Sequence, residues 1–73
     1  MIYDVEDMVI DALKARIARS TGAKRQQAER ILARYLGLLA EYEKLNEEPF
    51  TSETEVLIDD ILDKLASIED AVI

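Results

Sequence analysis

The sequence predicts an all-α protein: a small three-helix bundle with a long central helix, helices 2 and 3 forming an antiparallel hairpin, in a dimeric assembly. Three observations carry that expectation. Apolar residues recur at three- and four-residue steps in three successive stretches, which is the period of one helix face. Two short breaks, Ser20-Thr21-Gly22 and Asn46 to Ser52, separate these stretches and contain the chain's two chief helix-ending signals, Gly22 and Pro49. The chain is only 73 residues long, and 49% of them are hydrophobic. A core of that size is marginal alone and gains from being shared with a second copy. The whole chain, residues 1–73, reads as one helical domain.

Helix 1 is expected at about residues 4–20. Asp4 can cap its free N–H groups, and Glu6 and Asp7 fall in the first turn, where the helix dipole favours negative charge. Tyr3 and Met8 stand at the spacing of a hydrophobic staple. Val5, Met8, Val9, Ala12, Leu13 and Ile17 trace its apolar face, and Arg16 and Arg19 lie near the end that prefers cations. Gly22 suits a left-handed turn that closes this helix, with Ser20 or Thr21 free to cap the next one.

Helix 2 is expected at about residues 23–48, roughly 39 Å of helix at 1.5 Å per residue. Its seam is Ala28, Ile31, Leu32, Tyr35, Leu38, Leu39, Tyr42 and Leu45. A second apolar row, Ala33, Leu36, Gly37 and Ala40, lies on the other side, and Arg34 is the one charge between Ile31 and Ala40. Gly37 costs roughly 1 kcal/mol relative to Ala inside an exposed helix. Close approach by another helix backbone would account for it. If helices 1 and 3 both pack on the Tyr35 side, this second row is left as a binding surface; if they take opposite sides, one chain satisfies both rows.

Pro49 ends helix 2, because it lacks an N–H and disfavours helical geometry at Glu48. Helix 3 is expected at about residues 52–72, opened by Ser52 with Glu55 at capping-box spacing. Phe50, the chain's single Phe, is placed to fold back near Val56 or Leu57 as a plug. Ile58, Ile61, Leu62, Leu65, Ile68 and Val72 form the seam, with Asp60 and Lys64 as an i, i+4 ion pair.

Composition removes several function classes. With neither Cys nor His, disulfides, thiolate or imidazole metal sites and Cys/His or Ser/His catalysis are absent. No Gly-rich phosphate loop occurs, and Asp59 and Asp63 lack the dense oxygen ligands of a hard-cation loop, so no cofactor or metal is implied and the protein is expected not to be an enzyme. No apolar run approaches the roughly 18 residues of a membrane span, and the acidic N-terminus is unlike a signal peptide. A soluble, cytoplasmic protein without a membrane partner is expected.

The net charge of −7 is unevenly distributed. Residues 1–13 carry four acids and no base, residues 14–34 carry seven bases against one acid, and residues 35–73 carry eleven acids against two bases. Such blocks govern partners and orientation more than fold. The acidic surface of helix 3, with Glu41, Glu43, Glu47 and Glu48, is an ordinary solvated face in the plainest reading; in the functional one it imitates a phosphate backbone or docks on a basic partner.

The basic block contains a second motif. Ile17-Ala18-Arg19-Ser20-Thr21-Gly22-Ala23, followed by Ala28 and Ile31, resembles the spacing of bacterial repressor helix-turn-helix units over about 15 residues. That resemblance implies a second helix entering the major groove, with Lys24, Arg25, Gln26, Gln27 and Arg30 reading bases or touching phosphates. The chain departs from the pattern in two ways: only three residues precede helix 1, and the supposed recognition helix continues about 18 residues past Arg30. The leading expectation is therefore a non-enzymatic protein–protein interaction or regulatory module of inhibitor or adaptor type. It would act as a homodimer on another protein through Ala33, Leu36, Gly37 and Ala40. The alternative is a DNA-binding regulator using the basic start of helix 2.

Overall fold

A computed structural model describes residues 4–72. It contains three helices, α1 (Val5–Arg19), α2 (Gly22–Glu47) and α3 (Ser52–Val72), and no strand among the described residues. The helices form an all-α bundle in which each touches the other two, with extents of 44 × 31 × 18 Å. Among the described residues, no helix is long and apolar enough to cross a membrane. Tyr3, the predicted staple residue, lies outside the described residues.

Each helix contributes a narrow buried line to one core. Val9 and Leu13 of α1, Tyr35 and Leu38 of α2, and Ile61 and Leu65 of α3 form the central cluster. Ile10, Ile31, Leu32, Leu39, Tyr42, Leu45, Ile68 and Val72 pack around it. Ala28 is buried on the same α2 line, about two turns before Tyr35. The buried line is thinner than the predicted apolar faces. Val5 and Met8 of α1 and Leu62 of α3 remain exposed. Met8 and Leu62 are each about 100° around the cylinder from a buried neighbour, Val9 and Ile61, and Val5 sits in the first turn.

The helix ends correct several local expectations. Asp4 has the extended backbone of an N-cap, and its carbonyl accepts from Met8 N–H at 3.1 Å, but its side chain makes no capping bond. Thr21 likewise precedes α2 without a side-chain cap. Gly22 does adopt the left-handed region (φ 62°), as the first residue of α2 rather than as the closure of α1, which ends on an extended Ser20. At the other end of α2, Glu48 is extended (φ −84°, ψ 157°), as a residue before proline prefers, and its N–H bonds back to Leu45 O at 3.2 Å.

The start of α3 is capped one residue earlier than the Ser52/Glu55 reading. Thr51 Oγ1 accepts from Thr54 N–H at 3.2 Å, while Thr51 O accepts from Glu55 N–H at 2.9 Å. The two hydroxyls lie 2.9 Å apart, and Thr54 Oγ1 donates to Pro49 O at 3.4 Å, so Thr51 O–H donates to Thr54. Thr54 is thereby satisfied although it is buried. With Thr51 as the cap, Phe50 becomes the residue before it, whose staple partner would be Glu55. A carboxylate offers no apolar surface, and Phe50 stays 73% exposed instead of plugging the bundle. Thr51→Ala is expected to cost about 1 kcal/mol, lowering the thermal midpoint by roughly 4–8 °C. Ser52→Ala should leave it nearly unchanged; paired thermal melts followed by circular dichroism check both.

Candidate functional site

Because α1 and α3 both pack on the Ala28/Tyr35/Leu38 side of α2, the opposite side of that helix is left open. Taking 100° per residue from Tyr35, Ala33 and Gly37 lie about 160° away on either side, Ala40 about 140° away and Leu36 about 100° away. All four are exposed, and Leu36 retains 46% of its accessible surface. A Cβ added at Gly37 would meet nothing within 4 Å. Nothing in the chain's own packing therefore requires glycine there, and close approach by helix 1 or helix 3 is excluded as its explanation.

Polar and charged residues bracket this face. Gln26, Glu29 and Arg30 precede it and Glu43, Lys44 and Glu47 follow it, all exposed. The ion pairs among the described residues are Arg25 Nε with Glu29 Oε1 (3.0 Å) and Lys64 Nζ with Asp60 Oδ2 (2.9 Å), both exposed i, i+4 pairs. Each contributes at most a few tenths of a kcal/mol. Arg30, Glu43, Lys44 and Glu47 make no ion pair within those residues.

The candidate DNA-reading side chains Lys24, Arg25, Gln26, Gln27 and Arg30 are also all exposed. They are distributed around the α2 cylinder instead of sharing one face. Lys24 and Gln27 line a groove with Arg16, Ser20, Ala28 and Ile31, whereas Gln26 and Arg30 belong to the outward face that continues into Ala33. Arg16 reaches across to α3, its Nη2 lying 3.5 Å from Val72 O.

Two features escaped the sequence reading. The first is an apolar groove of about 480 Å³ at the start of α3, lined by Ser52, Glu53, Val56 and Leu57. Its signal was present in the adjacent Val56 and Leu57, which precede the 3/4-spaced seam. The second is a hydrogen bond from Tyr35 Oη to Glu69 Oε2 at 2.9 Å, linking residues 34 positions apart. No local pattern encodes such a pairing, and Glu69 reads simply as part of the polar face.

This hydroxyl sits in a carboxylate-rich setting. Burial, the hydrogen bond to Glu69 and the negative charges of Glu69 and Glu6 push the Tyr35 phenol far above the ordinary tyrosine range. Partial desolvation raises the Glu6 carboxyl, helped by the charges of Asp4, Glu69, Asp7 and Glu43. Since the folded Tyr35 pKa exceeds the unfolded one of about 10, the folded state holds a proton that the unfolded state releases above that pH. The stability Tyr35 contributes is thus intact below pH ~10 and lost as pH rises beyond it. We expect alkaline unfolding to begin above pH ~10, in step with tyrosinate absorbance, and Tyr35→Phe to weaken that dependence. An alkaline unfolding curve identical in the two proteins would remove the linkage.

In comparisons with protein-family models, curated proteins and solved structures, the chain matches none.

Proposed function

We propose that this chain is a non-catalytic protein–protein interaction or regulatory module, of inhibitor or adaptor type, that works in the cytoplasm as a homodimer. The α2–α3 pair, joined by the short segment 48–51, serves as an antiparallel hairpin scaffold. The supporting observation is the open face of α2: Ala33, Leu36, Gly37 and Ala40 are uncovered while the buried lines of both neighbouring helices pack on the other side. Leaving an exposed Leu and a helix-weakening Gly in mid-helix is unfavourable for an isolated chain and favourable once a second surface covers them. The acidic outer surface of α3 remains available for another protein of basic character.

Sedimentation of the wild type and of Leu36→Arg tests the assembly. A wild-type dimer that becomes a folded monomer on substitution supports it, and a wild type that stays monomeric at high protein concentration overturns it.

A second reading, DNA binding through Lys24, Arg25, Gln26, Gln27 and Arg30, draws on the exposure of all five side chains within the chain's one basic block. It predicts salt-sensitive binding of duplex DNA that is abolished by Arg25→Glu with Arg30→Glu. Under the interaction reading, anisotropy titration with duplex DNA gives no such binding.

A further inference from the structure

We infer that the open face of α2 is covered by a second copy of this chain, with the two α2 helices antiparallel and the twofold axis passing between Leu36 and Gly37. The inference rests on the dimer reading above and adds the orientation, the register and the ionic contacts. It comes from the order of charges along the outward face. In this arrangement Leu36 lies over the partner's Gly37, and Ala33 over the partner's Ala40, so the bulkiest side chain of the face meets the position with no side chain.

The flanking charges then fall opposite one another. Arg30 faces the partner's Glu43, Glu29 faces the partner's Lys44, and Arg25 faces the partner's Glu48. Each contact occurs twice by symmetry. Arg30, Glu43 and Lys44, which form no ion pair among the described residues, acquire one each. Gln26, opposite the partner's Glu47, supplies an amide donor to a carboxylate.

Alternative pairings of the same face are worse. A parallel pair sets every charge against its own copy, so that Arg25, Glu29, Arg30, Glu43 and Lys44 all face like charge. Sliding the antiparallel pair by seven residues in one direction lays Arg30 over the partner's Leu36; sliding it in the other lays Lys44 there. Either slip desolvates a cation against an apolar side chain. Of these arrangements, the antiparallel one centred between Leu36 and Gly37 matches both the apolar centre and the charged flanks.

Introduced thiols test the register without interference, because the chain has no cysteine of its own. Ala33→Cys and Ala40→Cys each alter an exposed small residue. When the two variants are mixed and exposed to a mild oxidant, a disulfide-linked heterodimer is expected. Each variant alone should stay unlinked, since its thiol is displaced from its own copy by seven residues, about 10 Å along the helix and beyond disulfide reach. Self-linkage of Ala33→Cys, or a sedimenting dimer that yields no mixed disulfide, overturns the register and leaves the dimer reading standing. A monomeric wild type overturns both. An independent measurement uses charge: Arg30→Glu should weaken dimerisation about five-fold, and adding Glu43→Arg should restore it. Failure of the double reversal to recover affinity also counts against the register.

Discussion

Tyr35→Ala is expected to unfold the chain, or to leave it with only a small fraction of its stability. Tyr35 has no accessible surface and lies in the one cluster formed with Val9, Leu13, Leu38, Ile61 and Leu65, to which all three helices contribute. Truncating a buried aromatic side chain costs about 3–5 kcal/mol, the lost transfer energy being compounded by the cavity left behind. A chain of this size has a total stability of roughly 4–11 kcal/mol, from about 0.05–0.15 kcal/mol per residue. The substitution therefore removes a large share of the total, and there is no second core to compensate. Tyr35→Phe separates packing from polarity. It keeps the ring and deletes only the hydrogen bond to the Glu69 carboxylate, a bond of a class worth about 1.5–3 kcal/mol, with the loss reduced because the half-buried Glu69 can turn to water. Urea unfolding followed by circular dichroism should show the Phe variant close to wild type and the Ala variant without a cooperative transition. A cooperative Tyr35→Ala melt at nearly the wild-type midpoint would show that the core is organised around other residues.

The existence and type of all three helices could be read from the sequence, because their signals are local. Period, caps and breakers act within a few residues, and Pro49 acting on Glu48 is the clearest case. Cap identity was less legible: Thr51 and Ser52 are both competent, and the choice falls to Thr51 because Thr54 is buried and needs its hydroxyl satisfied through Pro49 O. The Tyr35–Glu69 bond was invisible, since it depends on how α2 and α3 meet. The open face occupies a middle position. Both apolar rows of helix 2 were evident, yet periodicity is equally consistent with helices on one side or on two. Tertiary placement decides between these, and it puts α1 and α3 together on the Tyr35 side.

Gly37→Leu is expected to act with opposite signs on the single chain and on the dimer. Within one chain, a side chain at position 37 meets open space, and replacing Gly by Leu in an exposed helix interior favours the helix by close to 1 kcal/mol. A monomer should therefore become more stable. At the twofold axis the same side chain meets the partner's Leu36, and two copies of the clash separate the helices that Ala33, Gly37 and Ala40 otherwise allow to approach. Dimerisation should fall by 100-fold or more, about 2.7 kcal/mol, within the range that overpacking produces. Thermal melts over a range of protein concentrations read both effects at once. Wild type should melt at a midpoint that climbs with concentration, as expected when folding is linked to association. Gly37→Leu should melt at a midpoint independent of concentration, above wild type in dilute solution and losing that advantage as concentration rises. If Gly37→Leu retains the wild-type concentration dependence, this face does not hold the dimer together; if neither protein shows any, the chain is a monomer and the dimer reading falls.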